Sequence, residues 1–243
     1  MIFLLAFLSI LFTGIAFIVT EKNAKYILSG YNTMTEAQRS QFDIKSFIRL
    51  FKRFYIFLGL SLFIIGFILT SLIGKDVGMI FLVFYPLVLH FYSISKSAKY
   101  FNAVNTKWYK WSYIILGGAM VLVAILMSTG YQESELLFDS QKIKIKGMYG
   151  ETLAASDIKS IELVNELPDI TLRTNGFASG SVLKGYFDIK DKENVKLIIN
   201  GEQQPIILIT SVKGKKIYYS VKTMQNEEIF NELKNNFPGI EYK

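Results

Sequence analysis

With a single histidine and no cysteine, this chain of 243 residues has few side chains suited to covalent or acid–base chemistry. His90 lies inside the apolar run Val77–Ser95, so no Ser/His/Asp set can assemble in the polar half of the sequence. The absence of cysteine excludes disulfides, thiolate nucleophiles and Cys-ligated metals. Gly147-Met148-Tyr149-Gly150 and Gly176–Gly180 are glycine-rich, yet neither has the spacing of a phosphate-binding loop or a following Lys-Ser/Thr. Asp188, Asp191 and Glu193 would suit a weak cation, but Lys190 and Lys192 between them favour a solvated turn. Asp169, Arg173 and Asn175 read either as a binding rim or as ordinary polar surface. No catalytic residue, metal site or cofactor is expected, and the chain reads as a non-enzyme. An ionisable side chain at membrane depth is a functional candidate by default, which leaves His90. The competing reading is a histidine bonded to a neighbouring helix, since no Asp or Glu stands in any apolar run.

The elements that would position these residues are apolar runs at about 2–19, 54–73, 77–95 and 112–130, each long enough for a helix to cross a bilayer. Together they predict a membrane domain of four transmembrane helices over residues 1–130. A cleaved signal peptide is the alternative for the first run. Such peptides carry a basic segment ahead of the apolar one, whereas here the first cations, Lys22 and Lys25, follow it. Gly59 and Gly66 mark a packing seam on the second span, and Gly117-Gly118-Ala119 suggests a close helix contact on the fourth. Pro86 is expected to kink the third or locally free a backbone carbonyl.

Net charge is +7, distributed unevenly: residues 1–130 carry a balance of +8 and residues 131–243 one of −1. The stretch Glu21–Arg53 holds seven Lys/Arg against three Asp/Glu, and Lys96–Trp111 holds four lysines and no acid. Basic residues beside a span resist translocation, so both stretches are expected in the cytoplasm. The N-terminus and everything after Tyr131 are then expected outside a plasma membrane. Lys45, Arg49, Lys52 and Arg53 share one helical face and are candidates for contact with anionic lipid, on a helix lying in the headgroup layer before it turns into the bilayer. The plain alternative is an ordinary positively charged flank. Because the basic surplus flanks spans, nucleic acid is not expected as a partner.

The stretch Glu21–Thr35, with its Ser29-Gly30-Tyr31-Asn32-Thr33-Met34 loop, resembles the signature of an uncharacterised bacterial membrane-protein family. Members place such a loop after the first span, followed by an acidic, amide and basic helix leading to the second. The resemblance covers roughly residues 1–130 and implies no activity. It makes Gly30, Tyr31 and Asn32 candidate functional residues beside His90. Many members carry a cysteine in the basic segment, and this chain has none.

From Leu136 the hydrophobic period changes to two, as in Lys142-Ile143-Lys144-Ile145-Lys146. Further strands are expected at 158–164, 170–173, 182–189, 195–199, 203–210 and 216–221, with turns at Asn175-Gly176 and Lys213-Gly214 and a hairpin closed at Asn200-Gly201. Pro205 is expected at an edge or bulge. A helix is expected over 227–237, capped by Asn226 and stopped by Pro238-Gly239. About seven strands capped by one helix over residues 135–238, an all-β or α+β domain, resemble a bacterial pleckstrin-homology-like open barrel; a small β-sandwich would give much the same count. Two roles follow. One is presentation of the β domain to a protein, a peptide or its own copies, through edge strands. The other is a membrane carrier or accessory subunit with a polar site around His90, with protection against a membrane toxin as a weaker variant.

Overall fold

The computed structural model describes residues 1–104, 108–222 and 225–243, and within these the side chains of all but Trp108 and Asp191. Lys107 and the Trp108 ring of the second basic stretch, and the Asp191 carboxylate, therefore lie outside the described residues. The chain divides into two units, Met1–Ala124 and Ile125–Lys243.

In the first unit the apolar runs are helical: α1 (Ile2–Ile18), α4 (Ile44–Leu72), α5 (Lys75–Ala103) and α6 (Trp108–Tyr131). Two short helices, α2 (Ala24–Ile27) and α3 (Glu36–Gln41), lie between α1 and α4. Three of these, α4, α5 and α6, are long and apolar enough to cross a membrane, while α1, expected as the first of four spans, has 17 residues and is shorter. The basic segment does not form a separate surface helix. Ile44–Leu72 is one unbroken helix of 29 residues, about 43 Å long, which approaches the full thickness of a bilayer with its headgroups. Lys and Arg are good helix formers, so the charges change the solvent of the first turns without ending them. Asp43 caps this helix, accepting the Ser46 N–H at 3.0 Å. Lys45, Arg49 and Arg53 are exposed on it, and the Lys52 ammonium lies 5.9 Å from the centroid of the Phe17 ring. α5 likewise runs unbroken through Pro86.

α1 packs along α4 where small residues permit it. A Cβ at Gly59 would collide with the Thr13 hydroxyl and lie 2.7 Å from the Ser9 carbonyl; one at Gly66 would come within 2.5 Å of Leu5. Leu58 and Leu62, fully buried, fill the space between. The close contact expected at Gly117-Gly118 does not form. A Cβ at Gly118 would meet nothing within 4 Å and one at Gly117 only the Phe91 ring at 3.9 Å.

Among its described residues the second unit has ten strands: β1 (Leu136–Asp139), β2 (Lys142–Ile145), β3 (Glu151–Ala154), β4 (Ile158–Val164), β5 (Ile170–Ser179), β6 (Val182–Ile189), β7 (Asn194–Ile199), β8 (Ile206–Ser211), β9 (Lys216–Ser220) and β10 (Glu241–Tyr242), with α7 (Asn226–Asn236) before the last. β1, β2 and β3 form a three-stranded sheet; the other seven run in the order β10-β4-β8-β9-β7-β6-β5. One core joins Ile143, Ile145 and Leu153 of the small sheet, Ile161, Ile207 and Tyr219 of the large one, and Ile229, Leu233 and Phe237 of the helical segment. A second core, with Phe187, Leu197 and Tyr218, lies on the opposite face of the large sheet. The expected hairpin at Asn200-Gly201 is absent, because β7 pairs in parallel with β9 and β8 pairs with β4 and β9. Asn200 is buried instead: its side chain accepts the Ser134 N–H at 3.0 Å and donates to the Ser220 carbonyl. Asn175-Gly176 is likewise no turn and lies inside β5. Asn226 is the first residue of α7 rather than its cap, which is Gln225; its buried amide accepts the Val221 N–H at 3.0 Å and donates to the Pro205 carbonyl at 2.7 Å. The β8–β9 hairpin forms around Gly214, whose φ of 83° suits a residue without Cβ.

Two lysines of the large sheet, Lys184 and Lys196, are buried. Lys196 and Lys215 share the Glu151 carboxylate at 2.7 and 2.6 Å. Burial works to raise that carboxyl, but the hydrogen bonds and charges of the two lysines outweigh it and hold it below the usual range. The Lys184 ammonium donates to the Gln132 carbonyl, and the residue is fully buried. Burial pulls its pKa down to about 8, against the attraction of Glu133.

Gly59→Leu should lower the unfolding temperature of the full chain in detergent through overpacking of about 1–3 kcal/mol, while Gly118→Leu should leave it nearly unchanged. Equal effects would show that α1 does not seat on this seam. An unfolded Lys184 keeps its proton to about 10.5, so between pH 8 and 10 the unfolded state binds more protons and stability should rise with pH. Tyr218, Tyr219 and Tyr242, whose hydroxyls burial pushes up, oppose this only above about pH 10. Lys184→Met should abolish most of the rise in melting temperature between pH 7.5 and 9.5 and stabilise the protein at neutral pH by up to about 3 kcal/mol.

Candidate functional site

The loop between α1 and α4 is a folded structure. Gly30 is buried with φ of 84°, and the Leu28 carbonyl accepts the N–H groups of Tyr31 at 3.2 Å and Asn32 at 3.0 Å. The Thr33 hydroxyl donates to the Gly30 carbonyl at 3.3 Å, and the Arg39 guanidinium binds the Met34 carbonyl with two N–H groups at 3.0 and 2.9 Å. Thr35 and Gln38 form the reciprocal cap of α3 that their spacing predicts. Gln38 also donates to the Val104 carbonyl, 3.4 Å away at the end of α5. The buried Phe42 ring sits among Tyr31, Phe47, Tyr100 and Phe101, with centroids 5.2 to 6.2 Å apart. That cluster fastens the loop to the start of α4 and the end of α5.

Above this knot lies a cavity of about 670 Å³. Ile15 and Ile18 of α1, Leu28–Gly30 of the loop, Phe51 and Tyr55 of α4, His90 and Ser97 of α5, and Ser112 and Leu116 of α6 line it. The structure thus brings Gly30 and His90 to one cavity. Tyr31 and Asn32 do not line it: Tyr31 packs on Phe42, and the Asn32 side chain is exposed. Nor do Lys45, Arg49 or Lys52; Arg53 instead lines a separate groove of about 440 Å³ between α4 and α5.

Both ring nitrogens of His90 are engaged. Nδ1 lies 2.6 Å from the Pro86 carbonyl, which can only accept, so Nδ1 carries the proton. The Tyr55 hydroxyl lies 3.3 Å from Nε2. The Phe54 ring stands edge-on at 5.2 Å. These contacts make His90 a clip between α4 and α5. Tyr55 was not foreseen as its partner; thirty-five residues separate the two, and only the antiparallel pairing of the helices joins them. The cavity wall is apolar with scattered hydroxyls, and such a lining suits an amphiphile held by shape and one or two hydrogen bonds.

The acidic turn of the second unit is also committed elsewhere. Asp188 accepts from the Asn194 amide at 2.8 Å and Glu193 pairs with Lys216 at 2.9 Å. Asn175 accepts from the Tyr149 hydroxyl at 2.8 Å rather than joining Asp169 and Arg173 in a rim.

Tyr55→Phe, His90→Phe and the double variant should show a coupling of about 0.6–1.5 kcal/mol in detergent unfolding, the range of an interhelical hydrogen bond. A coupling near zero would separate the two side chains.

A family model described as a domain of unknown function, DUF3784, matches residues 6–101, which takes in most of α1, the loop, α4 and nearly all of α5. This agrees with the membrane-protein family that the sequence resembles. No curated protein matches the chain, and no solved structure does.

Proposed function

We propose that this is a non-enzymatic protein of the plasma membrane that offers its β-rich unit, outside the cytoplasm, to an extended segment of a partner protein. The observation that carries this reading is β5. It stands at the edge of the seven-stranded sheet, and its residues Ile170–Asn175 are all exposed. Register shifts leave Thr171 and Thr174 as extra residues, whose hydroxyls bond the Asp188 and Tyr186 carbonyls at 3.0 Å. Between them Leu172 stands 59% exposed beside Arg173. Bulges at sheet edges re-aim side chains, and an open edge with an apolar side chain is what an added strand needs.

The orientation rests on charge. With α1 counted as a fourth crossing, both basic stretches fall in the cytoplasm and the acidic Glu133-Ser134-Glu135 leads outward. The tight packing of α1 on α4 supports its membership of the bundle. A pleckstrin-homology-like open barrel remains our reading of the second unit, supported by two sheets and a C-terminal helix sharing one core. A second role, as a carrier or accessory subunit for an amphiphile, is favoured by the cavity that unites Gly30, Tyr55 and His90.

The test is co-purification from intact cells through a tag at Lys243, comparing the parent protein with Leu172→Lys. A partner, or a second copy, retained by the parent and reduced at least tenfold by the variant at unchanged circular dichroism is the expected result. Equal retention by both would remove β5 as the docking edge. Protease added to sealed protoplasts should trim the β-rich unit; protection until lysis would invert the orientation.

A further inference from the structure

We infer that the groove between α4 and α5 is a discrete site for one anionic glycerophospholipid, with Arg53 and Lys96 holding the phosphate. This goes beyond the role of β5 and requires only that α4 and α5 cross a bilayer. The groove, of about 440 Å³, has two chemically different ends. Arg53 and Lys96, one from each helix, supply cations, while Phe54, Phe57 and Leu89 supply an apolar wall.

The position of the two cations along the helices is what makes the site amphipathic in the right sense. On α4 no Lys, Arg, Asp or Glu follows Arg53 before the helix ends at Leu72. On α5 none stands between Asp76 and Lys96. Each charge-free stretch is about 28–30 Å long, the thickness of the hydrocarbon core. Arg53 and Lys96 are therefore the boundary charges of two neighbouring helices, at the level where a lipid phosphate sits. Both are exposed, and among the described residues neither shares an ion pair with a carboxylate. The Lys96 ammonium lies 5.4 Å from the centroid of the Tyr92 ring, which narrows its range of positions. Arg offers a planar fork to phosphate oxygens and Lys a point charge, and basic clefts between spanning helices are where anionic headgroups bind. An acyl chain continuing along Phe57 and Leu89 would cover apolar surface that is otherwise left to bulk lipid. Lys45 and Arg49, on the same helix but outside the groove, serve as built-in controls.

The experiment is native mass spectrometry of the full chain in mild detergent, titrated with dioleoyl phosphatidylglycerol, dioleoyl phosphatidylcholine or inorganic phosphate. One phosphatidylglycerol should bind with saturation, at least tenfold more tightly than phosphatidylcholine, and inorganic phosphate should not compete at millimolar concentration. Arg53→Gln with Lys96→Gln should weaken phosphatidylglycerol at least tenfold, whereas Lys45→Gln with Arg49→Gln, an equal loss of charge, should change it less than threefold. Leu89→Trp, which fills the wall and leaves both cations in place, should also weaken it. Equal losses in the two double variants would reduce the site to diffuse attraction by a basic flank and overturn the proposal, as would equal binding of phosphatidylcholine. Competition by inorganic phosphate would assign the cations to a free anion and likewise overturn it.

Discussion

Between Phe54 and Gly74, and again between Val77 and Ser95, the chain carries no Lys, Arg, Asp or Glu, and the organisation of the helical unit follows from that exclusion. A formal charge in hydrocarbon costs several kcal/mol, so the first cations outside each stretch mark the depth at which α4 and α5 sit. Several polar groups that remain inside are hydrogen-bonded. His90 donates from Nδ1 to the Pro86 carbonyl and meets the Tyr55 hydroxyl through Nε2, Ser61 accepts from Tyr85 at 2.7 Å, and Thr70 returns its hydroxyl to the Gly66 carbonyl at 2.7 Å. The bundle is thus held by small-residue contacts along α1 and by a few satisfied hydrogen bonds along α5, with bulk packing between them.

The loop signature acquires a physical meaning in this setting. A Gly in the left-handed region, an aromatic residue after it and a buried Met34 four residues on are the pieces of a compact plug. Arg39 closes it by satisfying the Met34 carbonyl, and Phe42 locks it against two helix ends. Gly30 therefore touches the cavity as backbone, and Tyr31 supports it from behind. The polar member, Asn32, faces solvent.

What could be read from the residues was local. The Thr35–Gln38 cap, the Gly59–Gly66 seam, the Lys213-Gly214 hairpin and the buried stripe of α7 all depend on spacings of a few residues. Basic residues at the start of α4 suggest a helix lying in the headgroup layer, but they alter only which solvent one continuous helix touches. Asn200-Gly201 carries the composition of a turn, but the buried Asn200 amide is used to tie Ser134 and Ser220. The parallel pairing of β7 with β9 has no signature within either strand, since both are apolar runs that would fit several neighbours. The cavity was half visible: His90 and Gly30 could be named separately, but the cavity they share is also lined by α1 and α6, which no motif connects.

The placement of β10 bears on timing. Glu241 and Tyr242 pair in parallel with Ser160 and Ile161, so the outer side of β4 stays uncovered until the chain has been made as far as Tyr242. At the usual pace of synthesis this interval, on the order of eighty residues, lasts several seconds. An open strand beside Ile158 and Ile161 is a template for wrong pairing over that period. The sheet is therefore most exposed to misassembly just before β10 joins it, and removing Glu241 and Tyr242 should compromise maturation more than such a small piece of structure would suggest.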